Sequence, residues 1–206
     1  MTLNNILFLV MALAICVTVH EAAHAWVASK LGDQTAKMQG RVSLNPARHL
    51  DPIGTLMIFL IQFGWGKPVM INEQNLKNPR RDAAIISLAG PMANFITAFL
   101  VALLIRFAIP DGYIFTLLKR IYELSLVLFL FNLLPVAPLD GSKLIGLVVP
   151  KSMDAAYERY MSQGYIYLIV IIILDRFLGQ ILDFSPLGYY FAFGYEYITI
   201  FIGLIT

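Results

Sequence analysis

Long apolar segments alternate with short polar stretches along this chain. Five such segments cover approximately residues 3–31, 83–109, 121–134, 160–174 and 187–205. The first, second and fifth approach or exceed the roughly 20 residues that an α-helix needs to cross a bilayer core. The fourth is expected to begin earlier, near Ala155. The pattern predicts an all-α integral membrane protein with about five transmembrane helices, forming one domain over residues 1–206.

The polar region between the first two segments predicts shorter elements. Residues 38–44 and 69–72 have the composition of short β-strands on the cytoplasmic side. The apolar run within residues 53–65 is too short to cross a bilayer as a helix. We therefore expect a re-entrant or interfacial hairpin there, with its backbone covered by protein or facing a wet cavity.

The third segment breaks up where Pro135 and Pro138 precede Asp140 and Gly141. Two prolines three residues apart cannot continue a regular helix, because each lacks an N–H and clashes with the preceding turn. Backbone polar groups are consequently freed at membrane depth, which is tolerated only where they line a cavity or are covered by protein.

Composition supports a membrane location: 59% of the 206 residues are hydrophobic and 14% are charged. The net charge of +2 gives no reason to expect a nucleic-acid partner. No basic residue precedes Lys30, so the first segment is interpreted as a retained helix rather than a cleaved signal peptide. The single cysteine excludes an internal disulfide.

Basic residues also predict the orientation. Eleven of the 15 fall on one side of the predicted spans: Lys30, Lys37, Arg41, Arg48, Lys67, Lys77, Arg80, Arg81, Lys143, Lys151 and Arg159. The positive-inside rule makes that side cytoplasmic, with the N-terminus outside and the C-terminus inside.

Candidate chemistry begins with His20-Glu21-Ala22-Ala23-His24 in the first segment. Two histidines four residues apart lie on one face of a helix, where both imidazoles can hold one Zn²⁺ beside the glutamate. The alternative is a pair of core histidines and a glutamate hydrogen-bonded within a helix bundle. Ionisable residues inside membrane helices usually serve a function, which favours the zinc site.

A catalytic zinc commonly has three protein ligands and a water, so a third ligand is expected. The candidates are His49, Asp51 and Asp140. Asp140 is favoured, because a carboxylate in an apolar stretch beside two prolines needs a strong partner such as a divalent cation. For His49 the alternative is a solvated interfacial imidazole, and for Asp51 it is a turn before proline.

Two further features have a structural and a functional interpretation. Cys16 lies four residues before His20 and could approach the metal, but a packed apolar thiol is the simpler interpretation. Residues 90–94, with the sequence GPMAN, are more typical of close helix packing than of catalysis.

Four motifs together resemble the site-2 protease family of intramembrane zinc metalloproteases, peptidase family M50. They are HEAAH at residues 20–24, LNPARHLDPIGT at 44–55, GPMAN at 90–94 and NLLPVAPLDG at 132–141. The resemblance extends over essentially the whole chain and is greatest for the short bacterial and archaeal members. It implies a multi-pass protein of a prokaryotic cell membrane.

The resemblance also implies roles for individual residues. His20, His24 and Asp140 would bind one Zn²⁺ per chain, Glu21 would act as general base and acid, and Asn132 would help to hold the substrate's carbonyl. The implied partner is a membrane protein substrate within the lipid bilayer, cleaved in or near a transmembrane segment. Larger members have a spanning helix before the HExxH helix, and some carry PDZ or CBS domains. We expect the hairpin at residues 53–65 to take part of the gating role that this preceding helix could have.

His20 lies about ten residues, roughly 15 Å of helix, before the expected cytoplasmic end at Lys30. Water is therefore expected to enter from the cytoplasm, along residues 135–140. A competing hypothesis is a transporter that relays protons or metal through the same ionisable residues. It does not explain the HExxH order, and no internal repeat supports it. A catalytically silent protein of the same fold is a third hypothesis.

Overall fold

The computed structural model describes residues 3–61, 66–107 and 112–205, and this part of the chain is predominantly helical. The helices are α1 (Leu3–Leu31), α2 (Thr35–Met38), α3 (Pro52–Ile61), α4 (Pro79–Phe107), α5 (Tyr113–Leu133), α6 (Ser142–Val148), α7 (Asp154–Ser162), α8 (Gly164–Leu182) and α9 (Pro186–Ile205). Short 3₁₀ turns cover Pro46–Arg48, Glu73–Asn75 and Lys151–Met153. No β-sheet occurs within the described ranges.

Three of the described helices are long and apolar enough to cross a membrane: α1 from Asn4, α4 and α8. Helix α5 has 21 residues and includes all but the last residue of the third predicted span, and α9 has 20 residues and coincides with the fifth. The all-α membrane class is thus supported. A count of five spans remains a prediction for α5 and α9.

Helices α1, α4 and α5 form the centre of the molecule. Their contact is made by Ala12, Cys16, Val101 and Ile121, all at most 7% exposed. A second apolar cluster joins α4, α5 and α9 through Ala98, Leu126 and Ile202. Small residues at these contacts let helices approach closely, as is usual in membrane bundles. The centre of the fold therefore brings α4 directly against the helix that carries the HExxH motif.

The helix bounds agree with the apolar pattern where a strong stop signal exists. Helix α1 spans the predicted residues 3–31, and Gly32 follows it with a φ of +117°, a conformation that favours glycine. Helix α5 begins at Tyr113, whereas the apolar pattern predicted a start near residue 121. The prediction began too late because Lys119 and Arg120, which interrupt the apolar pattern, lie within the helix. The fourth predicted span is divided at Gln163 into α7 and α8.

The region between α1 and α4 differs most from the prediction. The strand predicted at residues 38–44 is wrong: α2 ends at Met38, and Gly40, at φ +69°, turns the chain so that the Arg41 amide donates to Ala36 O. Residues 69–72 also form no strand. Their amides donate to side chains instead, Val69 N to Glu21 and Asn72 N to Asp33.

The predicted hairpin at residues 53–65 begins as a single helix, α3, of 10 residues. Residues 62–65 lie outside the described part of the chain. Backbone pairing near it consists of an isolated antiparallel bridge between Leu50 and Gly66. The Lys67 amide also donates to His49 O at 2.7 Å. These contacts direct residues 67–72 back across α1.

Candidate metal centre

Helix α1 places His20 and His24 one turn apart, with both rings largely buried. Their Nε2 atoms lie 3.0 Å from each other, and Asp140 Oδ2 lies 3.1 Å from that of His20 and 3.2 Å from that of His24. Among the described residues, this is the group of three ligand-type side chains whose donor atoms all lie within 4.8 Å. The structure therefore brings together the three residues expected to bind metal.

The break after α5 positions Asp140. Gly141 N donates to Asn132 O at 2.6 Å, which folds the segment back on the end of α5. The Tyr160 hydroxyl donates to Pro135 O at 2.8 Å and accepts from Ala137 N at 2.9 Å. One tyrosine of α7 thus satisfies two backbone groups of the broken segment. Asp140 is held opposite α1 as a result.

Helix α4 closes the site from the other side. A Cβ at Gly90 would lie 2.3 Å from His24 Nε2 and 2.7 Å from His20 Nε2, so only glycine leaves room for both rings. His24 Nδ1 lies 2.7 Å from Ile86 O. Because a carbonyl oxygen only accepts, Nδ1 carries the hydrogen and the neutral ring presents a lone pair at Nε2.

This arrangement fits a divalent metal. A lone pair on His24 Nε2 faces a carboxylate oxygen, Asp140 Oδ2, that is buried and lacks another hydrogen-bond partner in the described chain. Such acceptors repel one another unless a cation or proton lies between them. Ligands of a tetrahedral zinc at about 2.1 Å lie about 3.4 Å apart, a few tenths of an ångström more than the spacings of 3.0–3.2 Å seen here.

Glu21 borders the same site and is already engaged. Its Oε2 accepts from Val69 N at 2.9 Å and lies 3.9 Å from an Arg41 guanidinium nitrogen. Arg41 is buried and also donates to Lys67 O. Burial lowers the pKa of Arg41, and the Glu21 carboxylate opposes that effect; an arginine nevertheless keeps its charge in proteins. One carboxylate oxygen of Glu21 thus contacts both a cation and the backbone of residue 69.

Asn132 lies on the cavity wall, on the last turn of α5. Its Nδ2 donates to Leu128 O at 3.0 Å, one turn earlier in the same helix. An amide nitrogen carries two hydrogens, so one remains for a ligand.

The cavity has a volume of about 400 Å³, within the usual size range of ligand sites. It joins the candidate ligands to Glu21, Asn132 and residues 68–71. Its lining residues are His20, Glu21, His24, Pro68, Val69, Met70, Ile71, Ser87, Asn132, Pro138, Asp140 and Lys143. The cavity is therefore lined by both ionisable and apolar side chains.

The other candidate ligands lie elsewhere. Asp51 Oδ1 accepts from Gly54 N and caps α3, in agreement with the turn interpretation. Cys16 Sγ packs beside Ser125 Oγ at 3.2 Å, between α1 and α5. The interpretation of His49 as a solvated imidazole is wrong, because its side chain is fully buried and its Nε2 donates to Ser43 O at 2.7 Å.

Burial lowers the pKa of His49. The hydrogen bond to Ser43 O raises that pKa, and the nearby positive charge of Arg41 lowers it further, so the pKa lies below its usual value. His49 is consequently neutral and holds the loop that supports residue 67.

Sequence reasoning missed two polar residues at this site. Asn94, one turn after Gly90 on α4, is fully buried with Nδ2 at 3.4 Å from His20 Nδ1. A polar side chain four residues from a glycine in an apolar helix was an available signal. Arg41 offered none, because its contact with Glu21 depends on how residues 34–50 fold back on α1.

Comparison with known proteins agrees with this geometry. A sequence model of peptidase family M50 matches residues 8–110, which include His20, His24, Gly90 and Asn94 but end before Asp140. The chain is 41% identical over 192 residues to "Putative zinc metalloprotease YwhC" of Bacillus subtilis strain 168, covering 89% of this chain and 83% of that protein.

More distant relatives have similar names. The chain is 28% identical over 184 residues to Rip2 of Mycolicibacterium smegmatis, covering 83% of this chain and 71% of that one. It is 27% identical over 152 residues to "Zinc metalloprotease MJ0392" of Methanocaldococcus jannaschii, covering 72% of this chain and 37% of that one. No solved structure matches the chain. On the family match and the relationship to YwhC, the chain belongs to peptidase family M50.

Proposed function

We propose that this protein is an intramembrane zinc metalloprotease that hydrolyses peptide bonds in or near transmembrane segments of membrane proteins. One observation carries the proposal: two imidazole nitrogens and a carboxylate oxygen converge within 4.8 Å, and Glu21 lines the same cavity. The names of the relatives as zinc metalloproteases support the choice of metal and reaction.

His20, His24 and Asp140 would hold one zinc ion per chain, three protein ligands being the usual number at a catalytic site. Bound zinc supplies a water of lowered pKa and polarises a carbonyl oxygen. The chain's own contribution is to orient the ligands: Ile86 O fixes the His24 tautomer, and the folded-back segment after α5 aims Asp140.

Glu21 would act as general base and then as general acid. It takes the proton of the attacking water and delivers it to the nitrogen of the departing amine, so one carboxylate serves both transfers. Its Oε2 is held by Val69 N and faced by the Arg41 charge, which leaves Oε1 as the oxygen for proton transfer. Asn132 would donate its second amide hydrogen to the substrate's carbonyl oxygen as charge develops there.

Residues 67–72, which lie outside regular secondary structure, would hold an unwound substrate. A substrate helix must unwind before its peptide bonds can be attacked, because they are hidden in its own hydrogen bonds. No partner is described for the amides of Met70 and Ile71 within the described chain, and both residues line the cavity. An extended substrate segment could pair with this backbone by strand addition.

We also propose a five-span arrangement with the N-terminus outside and the cavity open to the cytoplasm. The basis is the excess of basic residues flanking α1, α4 and α6 on the same side. Lys143 at the cavity wall and Lys67 beside it belong to that set.

The test compares the purified wild type with Glu21→Gln, scoring bound zinc and cleavage of a single-span substrate in liposomes. Glu123→Gln, a glutamate of α5 paired with Arg120, is the matched control. We expect one zinc per chain in all three proteins and cleavage lost in Glu21→Gln alone. Wild type without zinc, or a Glu21→Gln protein that cleaves normally, would contradict the proposal. A metal or proton conductor would show transport in these liposomes without cleavage.

A further inference from the structure

His20 lacks the kind of contact that fixes His24. The His24 ring is oriented by a backbone carbonyl at its Nδ1, which leaves Nε2 free for the metal. A metal-binding histidine needs its second nitrogen to donate a hydrogen bond, since that contact fixes both tautomer and ring orientation. The described contact at His20 Nδ1 is the side-chain amide of Asn94.

Asn94 is unusually placed for a helix-packing residue. It is fully buried in the apolar middle of α4, and its Oδ1 has no hydrogen-bond partner within the described chain. A buried acceptor without a donor is destabilising, because it has lost its hydrogen bonds to water. Its Nδ2, at 3.4 Å from His20 Nδ1, makes at most a long hydrogen bond. The unsatisfied oxygen and the weakly paired nitrogen belong to the same amide.

The two orientations of this amide favour different His20 tautomers. With Nδ2 toward the ring, Nδ1 must accept, so a neutral His20 carries its hydrogen on Nε2, where the metal would bind. With the amide rotated by 180°, Oδ1 accepts from Nδ1–H, and Nε2 presents a lone pair toward Asp140 and His24. The second orientation also gives the unpaired Oδ1 a donor. The two requirements, a satisfied oxygen and a free Nε2, are met by one rotation.

We propose that Asn94 is a positioning residue for the metal centre: its Oδ1 accepts the Nδ1 hydrogen of His20 and holds that ring in the metal-binding tautomer. This deepens the proposed function and rests on it. Gly90, one turn earlier, brings α4 close enough for the contact, because a Cβ there would touch both rings. The two residues act together: glycine permits the approach and asparagine supplies the acceptor.

The chain offers variants that separate this role from packing. Asn94→Leu keeps the approximate size and removes the acceptor, whereas Asn94→Asp keeps an acceptor and removes the donor. Thr97→Val is the matched control, since Thr97 also lies on α4 and its hydroxyl bonds within that helix, to Ala93 O.

The measurement is the rate of zinc loss to a chelator from each purified, zinc-loaded protein. We expect Asn94→Leu to lose zinc about 10- to 100-fold faster than wild type, the usual cost of removing a partner that orients a ligand. Asn94→Asp and Thr97→Val should hold zinc at least as long as wild type. Equal rates in Asn94→Leu and wild type would overturn the proposal.

Asn94→Asp decides the matter if Asn94→Leu does not fold: rapid zinc loss from the aspartate variant would mean that the amide N–H, not the oxygen, serves His20, and would overturn the proposal. A wild type that binds no zinc would instead refute the proposed function itself.

The three histidines also give a direct spectroscopic readout. In ¹⁵N-histidine-labelled protein, the ring nitrogens report which one carries the hydrogen. Wild type and Asn94→Asp should show His20 protonated at Nδ1, and the ring of His49 serves as an internal reference because it lies outside the site. A His20 protonated at Nε2 in zinc-loaded wild type would contradict the assignment.

Discussion

The two walls of the cavity are built in different ways. On one side, three packed helices hold the candidate ligands: α1 supplies the histidines, α4 touches them at Gly90, and the end of α5 leads to Asp140. On the other side, residues 67–72 have no regular secondary structure and are held by charged or polar side chains at separate points.

The difference indicates a division of labour. A metal centre requires ligands held in one geometry, and packed helices supply that rigidity. A substrate site must admit a second chain, and backbone that is not already paired can do so. We call the side built by α1, α4 and the end of α5 the helical wall, and residues 67–72 the irregular wall. Changes in the helical wall are expected to alter metal binding, and changes in the irregular wall to alter cleavage without altering metal binding.

The largest effect is expected from Gly90→Ala, which disrupts the helical wall. The new Cβ would lie 2.3 Å from His24 Nε2, against a ring held by Ile86 O, so the ligand set must separate. We expect zinc content and cleavage both to fall below detection. Gly203→Ala in α9, where a Cβ meets nothing within 4 Å, is the control and should match wild type. Full zinc in Gly90→Ala would show that α4 does not confine the histidines.

The irregular wall is broken most effectively at Asp33. This buried carboxylate accepts hydrogen bonds from the backbone N–H and the hydroxyl of Thr35. It also accepts from Asn72 N and from the side-chain amide of Asn75, and these two bonds connect residues 72–75 to the end of α1. Asp33→Asn should lower the free energy of unfolding by about 1–3 kcal/mol, because it turns an amide donor toward other donors. Asp183→Asn is the control. Zinc per chain should stay at the wild-type value, and its loss would contradict the division between the walls.

The same carboxylate predicts a pH dependence. Burial alone would raise the pKa of Asp33, but the hydrogen bonds it accepts outweigh burial and lower that pKa from its usual value. The stabilisation is therefore complete above about pH 4, the pKa of an unfolded aspartate, and is lost as pH falls through the lower folded pKa. The melting temperature of wild type should fall as pH is lowered through that acidic window. The part of this fall that is due to Asp33 should be missing from Asp33→Asn. Identical acid profiles for the two proteins would contradict it.

A proline at Ile71 tests whether the irregular wall holds substrate. Proline removes the backbone amide of a residue that lines the cavity. We therefore expect kcat/KM to fall roughly two- to tenfold, about the worth of one hydrogen bond, with zinc unchanged. Leu44→Pro, in the other segment predicted as a strand but outside this cavity, is the control. Unchanged cleavage by Ile71→Pro would count against strand addition.

The smallest effect is expected from Lys143→Gln. Lys143 Nζ lies 2.6 Å from Glu73 Oε1 and joins the two walls, but both side chains are partly exposed to solvent. Exposed ion pairs contribute about 0–1 kcal/mol, so thermal stability should change little and zinc should be retained. Suppose that Lys143→Gln loses more thermal stability or zinc than this, and that the double variant Glu73→Gln/Lys143→Gln does not. The unpaired charge of Glu73 would then be the cause of the loss.

The helical wall was largely predictable from sequence. An apolar run ended by Gly32 defines α1, and the HExxH spacing puts both histidines on one face of it. Asp140 stood out as a carboxylate beside two prolines in an apolar stretch, and the structure does bring it to the histidines. The helix and the placement of these side chains were predictable because each depends on local spacing or on the cost of a buried charge.

The irregular wall was not predictable in the same way. Residues 69–72 have strand-like composition, but their amides donate to Glu21 and Asp33, which lie 48 and 39 residues away in sequence. The interfacial interpretation of His49 failed because the fold of residues 41–50 buries that ring beneath its own loop. Such contacts depend on tertiary structure, and composition carries little information about them.

Zinc content most directly tests the central claim that His20, His24 and Asp140 form one metal site. Metal per chain is to be measured on purified wild type, Asp140→Asn and Asp51→Asn, the last being an aspartate that caps α3 away from the histidines. We predict one zinc per chain in wild type and in Asp51→Asn, and a marked loss in Asp140→Asn. Full zinc in Asp140→Asn would contradict the account, and so would a loss of zinc in Asp51→Asn.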